Sequence, residues 1–368
     1  MIHRAVRNLA LLLVALVVGG SPVIAQGIQA PAERTFRDWV VGCDNARACT
    51  AVGMIPAENI DVAFIHVYRA AGPGAPPQFS VVIYDDTSPA DRRMSISLDG
   101  APIDRVASSR LGQPVLEFDG FRQSTLSDAE VGPFVVALRR GSRLQVGIDG
   151  GVSAEVSLDG AMAALLFIDD MQGRIDTATA LARRGSRPAA SVSAATPLPL
   201  LRAQPAGDVG ITDRRAAAVR AGWATQAARA CAQSEAAEST EPETMAPLSG
   251  GRILIGVGCG GGAYNFDTVF GIAEPGDPLR VTPARFMPPP VDGSGPGGVG
   301  ESLTNAFFDP ATTSLRFSTK GRGIGDCGSS GRYVWTGDTF MLAEWRAMPA
   351  CRGVPEPFWP ELWRSRDQ

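Results

Sequence analysis

The chain has 368 residues, 45% of them hydrophobic, with 34 Lys or Arg against 38 Asp or Glu and a formal net charge of −4. A mildly acidic balance leaves no electrostatic footprint for nucleic acid, and the length supplies ordinary cores for two domains without disulfides standing in for one. Lys320 is the only lysine, so nearly every cation is an arginine.

Residues 1–25 read as a cleavable signal peptide. His3, Arg4 and Arg7 precede an apolar run from Leu9 to Val18, and Val23-Ile24-Ala25 supplies a cleavage site before Gln26. Ten apolar residues fall short of the roughly 20 that span a bilayer, and no later run is long enough. The expectation is therefore a periplasmic, exported chain with no transmembrane segment once the signal is removed. Its loss takes away two arginines and no acid, moving the net charge to −6.

Six cysteines in an exported chain point to a disulfide framework. Cys43 and Cys49 flank a polar five-residue turn, as a hairpin staple would, and Cys231 with Cys259 and Cys327 with Cys351 are the next most economical pairs. Closely spaced Cys or His pairs are missing, so no metal site is expected. His66 is the one imidazole left after cleavage. It sits in the alternating run Ala63–Tyr68, where a strand would turn it to the polar side of a sheet, and no G-x-S-x-G elbow supports a catalytic triad.

The fold class expected is mainly β with a few helices, α+β, as two antiparallel β domains. Residues 26–184 form the first. There Met94, Ile96 and Leu98 alternate into Asp99-Gly100, and Leu144, Val146 and Ile148 run into Asp149-Gly150 before Ala154, Val156 and Leu158 return. Such alternation around D-G is a hairpin signal and predicts one buried face. Between Asp159 and Arg183 the period changes to i, i+3, i+4, predicting a helix with Asp159 as N-cap and Gly185 as its stop. Residues 185–210 are rich in Pro, Ala, Ser and Gly and read as a linker.

The second domain, 211–368, opens with an Ala- and Arg-rich helix from Thr212 to about Ala232. The acidic stretch Glu235–Glu243 reads as a solvated loop. A β-meander follows, with strands over 252–258, 264–273 and 303–308, and hairpins near Asp309-Pro310 and Thr336-Gly337-Asp338. Gly256–Gly262 lacks the G-K-[ST] and the following helix that phosphate cradles need, and Asp292–Gly298 lacks the alternating carboxylates of a calcium loop. No cofactor is implied.

The candidate site residues lie in this half. Trp335, Trp345, Trp359 and Trp363 gather there and are candidates for a binding surface, although for the tail 355–363 docking onto its own domain is the favoured reading, because exposed aromatic patches are rare on monomers. Asp309 and Asp326 are candidate acids for carboxylate-pair hydrolysis, against turn-forming roles beside Pro310 and Cys327.

The segment Phe36-Arg37-Asp38-Trp39-Val40-Val41-Gly42-Cys43-Asp44-Asn45, with Arg47 and Cys49, resembles the start of the bacterial exported family catalogued as domain of unknown function 1176. The resemblance continues at Ser157-Leu158-Asp159-Gly160, Asp169 and Gln172, at Gly323-Ile324-Gly325-Asp326-Cys327-Gly328 and at Cys351-Arg352-Gly353. Trp39–Cys43 is also similar, over about a third of the chain, to the invasion-associated locus B family. The first likeness implies a bacterial cell-envelope location and the second a small exported β-rich protein, and neither brings catalytic residues. The expected role is non-catalytic binding of an envelope protein or glycan, or envelope maintenance. The alternatives are a carboxylate-dependent hydrolase of envelope polymers, and an inhibitor of an envelope-directed enzyme that presents a protruding Cys43–Cys49 turn.

Overall fold

The computed structural model describes residues 30–59, 61–89, 91–115, 120–149, 153–232, 243–287 and 302–368. The expected signal peptide, most of the acidic stretch 235–243 and the segment 292–298 lie outside them. Among the described residues no helix is long and apolar enough to cross a membrane. The chain is mainly β among the described residues, with three α-helices and several largely antiparallel sheets.

The first half is built on a seven-stranded sheet that begins as a meander, Ala32–Phe36, Trp39–Cys43, Cys49–Met54, Ala63–Arg69 and Pro77–Tyr84. Trp39–Cys43 and Cys49–Met54 are buried at every position. A strand hidden on both sides needs partners above and below the sheet. One set comes from nearby sequence: Trp39, Val41, Ala51, Ile65, Val67 and Val81 share a core with helix α1 (Asp128–Arg140), helix α2 (Ala161–Met171) and a second, four-stranded sheet. That second sheet carries the predicted hairpin, with Leu144 opposite Val156 and Val146 opposite Ala154 on one buried face.

α1 starts at Ser127, whose capping box with Glu130 satisfies amides of the first turn. α2 is shorter than the periodicity predicts and begins after Gly160, not Asp159. A Cβ on Gly160 would lie 1.9 Å from the Phe36 carbonyl oxygen, and its φ is +99°. Only glycine meets both conditions. The helix stops at Met171 because polar side chains near its end bind the following loop. Buried Asp169 accepts amide protons from Leu181, Ala182 and Arg183, and Gln172 donates to the carbonyls of Arg47, Arg69 and Ala70.

The second half is layered. α3 (Asp213–Cys231), N-capped by Thr212, lays Val219, Trp223 and Ala227 on a third sheet formed around Ile253–Gly261 and Phe266–Glu274. The other face of that sheet shares a core of Phe270, Phe286, Leu315, Tyr333, Trp335 and Phe340 with a fourth, six-stranded sheet. The predicted strand over 303–308 is two strands, Ser302–Thr304 in the third sheet and Phe307–Asp309 in the fourth. Asn305 breaks it with φ +45° and hydrogen-bonds across both sheets. Residues 185–210, expected as a linker, are tied down by backbone bonds: Leu200–Leu201 pairs with Arg366–Asp367, and the amide of Gln204 donates to the Trp335 carbonyl.

The two halves meet on the second face of the first sheet. Val40, Val52, Met54, Phe64 and Val82 pack on Met348, Val354, Phe358 and Trp359. A Cβ at Gly42 would fall 2.6 Å from the Pro360 side chain, so the tail lies hard against the sheet. Around this core Arg352 pairs with Asp38 and Arg364 with buried Asp44. Burial pushes the Asp44 carboxyl up, against the pull of Arg364 and the amides of Ala48 and Ala46.

Candidate functional site

The three disulfides join Cys43 to Cys49, Cys231 to Cys259 and Cys327 to Cys351. The Cys43–Cys49 turn does not protrude as expected. Asp44, Asn45, Ala46 and Ala48 are all buried, and Asn45 exchanges hydrogen bonds with the backbone of Arg364. Nor does His66 face solvent freely: its ring stands edge-on to Phe358 at 5.3 Å, and burial lowers its pKa to about 4.

The tryptophans were candidates for a binding surface, with docking of the tail onto its own domain the favoured reading, and the structure puts most of them in cores. Trp335 is fully buried and donates to Ser249; Trp363 is buried and donates to the Leu342 carbonyl. Trp345 is partly buried on the same core. Large aromatic surfaces find more favourable burial between two sheets than in water. Trp359 packs at the junction of the halves, donates to the Val354 carbonyl and also lines a cavity.

The two candidate acids remain local. Asp309 accepts from the Ala311 amide and the Thr312 hydroxyl, which hold its carboxyl below the usual range. Asp326 is buried, which works against its charge, yet Arg322 and the Gly353 amide outweigh this and keep it ionised. Asp326 also lies beside Cys327 and Cys351, but both sulfurs are spent in a disulfide and offer no thiolate to a metal.

The cavity that Trp359 lines has a volume of about 380 Å³ and lies on the fourth sheet, away from its core. Strand alternation builds it. Along Ser314–Lys320, Leu315 and Phe317 enter the core while Arg316, Ser318 and Lys320 face the other way, and the register places Ser330 opposite Ser318 and Arg346 opposite Ser330. The edge carrying Lys320 is fixed by an amide clamp: Asn265 accepts from the Lys320 amide and donates to its carbonyl, both at 2.9 Å.

Acids on this face are engaged. Glu344 pairs with Arg332 at 2.7 Å, and Glu356 accepts from Ser330 at 2.6 Å and from Arg346 at 3.2 Å. Glu361 reaches Arg346 at 3.4 Å and Arg364 at 3.2 Å. Burial pushes the Glu361 carboxyl up in spite of both arginines. For Arg346 burial works against the charge, but Glu356 and Glu361 prevail and raise its pKa. Arg316 and Lys320 line the same cavity and make no ion pair among the described residues. Phe307, 65% exposed, stands opposite Arg316 in register, and Ile324, 74% exposed, precedes Gly325 of the lining. Two cations without an ion pair among the described residues, a row of hydroxyls and an apolar rim can bind an anionic, hydroxyl-bearing group. Nothing in the sequence marked Arg316 or the clamp of Asn265 on Lys320, because facing strands from different hairpins create the site.

Sheets, bridges and cavity together describe a disulfide-braced β-rich protein with a polar concavity. The chain belongs to the family of proteins of unknown function DUF1176, whose model matches residues 33–366. It is 28% identical over 358 residues to the uncharacterized protein YpfG of Escherichia coli (strain K12), covering 92% of this chain and 94% of that protein. No solved structure gives a significant match.

Proposed function

We propose that this is a periplasmic protein, exported by the signal peptide in residues 1–25, with a non-catalytic binding role in the cell envelope. The ligand is an acidic envelope glycan seated in the cavity of the fourth sheet. One observation carries this reading: among the described residues Arg316, which only helps to lower the pKa of Asp309, and Lys320 open onto the cavity without an ion pair, while Glu344 and Glu356 in the same lining are neutralised by arginines. Charged donors facing a concave, hydroxyl-lined surface favour carboxylate- or phosphate-bearing saccharides. Hydrolysis by a carboxylate pair needs one acid with a raised pKa. Asp309 and Asp326 are both held low, which favours binding over that chemistry.

Sedimentation of the mature, oxidised protein with purified peptidoglycan tests the reading. The wild type should be retained in a salt-sensitive manner, and the double variant R316Q/K320Q should lose retention about tenfold with an unchanged melting temperature. Equal retention of wild type and variant would overturn it.

A further inference from the structure

A second concentration of arginines lies in the first half, buried where the cavity of the fourth sheet is open. Arg69 ends the strand Ala63–Arg69 and is 2% exposed; Arg174, three residues past α2, is 0% exposed. Their donors go chiefly to neutral acceptors. Arg69 binds the carbonyls of Ala75 at 3.2 Å and Thr179 at 2.8 Å. Arg174 binds Gln172 at 2.9 Å, the Thr179 hydroxyl at 3.1 Å and the Gly72 carbonyl.

A single carboxylate, Asp169, answers both guanidiniums among the described residues. It stands 4.0 Å from Arg69 and already accepts three backbone amides. A buried charge without a close counter-charge is expensive, and an interior holding two cations and one acid keeps a net positive charge. Burial brings the Arg69 pKa down to about 10, and repulsion from Arg174 and Arg184 adds to this against the attraction of Asp169.

The cluster is not sealed. Arg69, Thr179 and Arg184 line a cleft of about 640 Å³ between the Pro73–Pro77 loop, the first turns of α1 and the Ala178–Arg184 segment. Nη2 of Arg69 donates to no protein group, and Arg184 uses only Nε, on the Ala180 carbonyl, among the described residues. Asp128 is the acid on the lining, at the N-terminus of α1. With Arg69, Arg174 and Arg184 set against Asp128 and Asp169, the site carries one positive charge in excess.

We propose that this cleft is a second ligand site, specific for a single carboxylate group held by the free guanidinium nitrogens of Arg69 and Arg184. One negative charge balances the excess, and a fork of donors suits a planar carboxylate. The group belongs either to a small free acid or to the C-terminus of a peptide, and the shared chemistry is the carboxylate.

Calorimetric titration of the mature, oxidised protein at fixed ionic strength tests this, with sodium acetate as the free acid and N-acetyl-D-alanyl-D-alanine as the peptide. Saturable binding of either probe supports the site, and the tighter one identifies the source. The C-terminal amide of the dipeptide should bind at least tenfold more weakly than the acid. Arg184→Gln should weaken binding about tenfold, and Asp128→Asn, which removes the opposing charge, should tighten it severalfold. Both positions are exposed, so the fold should survive, as an unchanged melting temperature would verify. No saturable heat with either probe, equal affinity for acid and amide, or an unaltered affinity in both variants would overturn the proposal.

Discussion

The two faces of the first sheet are both covered, in opposite ways. Trp39, Val41 and Val67 look onto helices and a sheet encoded within the next hundred or so residues, whereas Val40, Val52 and Phe64 look onto Val354, Phe358 and Trp359 from the far end of the chain. The alternation of a strand sends neighbouring residues to both faces, so each strand commits half of its apolar side chains to a partner not yet synthesised. The difference teaches that the C-terminal tail completes the core of the first half and is no appendage to the second.

The largest blow to the distal face is expected from Trp359→Ala. Loss of a buried indole costs about 3–5 kcal/mol, and urea denaturation should show the first and second halves losing stability together. A drop confined to probes in the second half would break the comparison. Replacing Cys327 and Cys351 with serine should come next. The bridge spans 24 residues just where the tail turns toward the first sheet, and its loss is worth about 3 kcal/mol by loop entropy. The Cys43–Cys49 bridge, spanning 6, should cost less, about 2 kcal/mol, in parallel denaturation curves of the two double variants.

The smallest effect is one of pH. His66 lies on the distal face against Phe358, with its folded pKa lowered from 6.5 to about 4. Well above pH 6.5 neither folded nor unfolded imidazole binds a proton, so His66 contributes no pH dependence there. As the pH falls below 6.5 the unfolded chain takes up the proton first, and stability declines until the folded pKa near 4 is reached. Between pH 6.5 and 5 the loss should be about 1–2 kcal/mol after allowance for partial exposure of the ring. His66→Phe should flatten the stability curve in that window. An unchanged slope would place His66 outside the energetics of the contact.

Much of the fold is legible from local chemistry. Alternation around Asp99-Gly100 and Asp149-Gly150 announces hairpins, Thr212 and the alanines that follow announce α3, and cysteine spacing favours sequential bridges. The break at Asn305 and the early end of α2 were hidden, because both depend on side chains that bind backbone groups distant in sequence. The tryptophans left two readings open for a related reason. Composition reports that aromatics gather near the C-terminus, and only packing decides whether they face a partner or the protein's own core.

By itself, then, the sequence determined the hairpins around D-G turns, helix α3, the bridges between nearby cysteines and the likeness to a family of unknown function, since each rests on neighbours within a few turns or on a motif. Tertiary structure alone decided that the tail seals the first sheet, that Arg316 and Lys320 share a cavity, and that Arg69 and Arg174 lie buried around one Asp169. Those arrangements are set by register and by contacts between residues up to 320 positions apart, and no local pattern encodes which distant face a charge will meet.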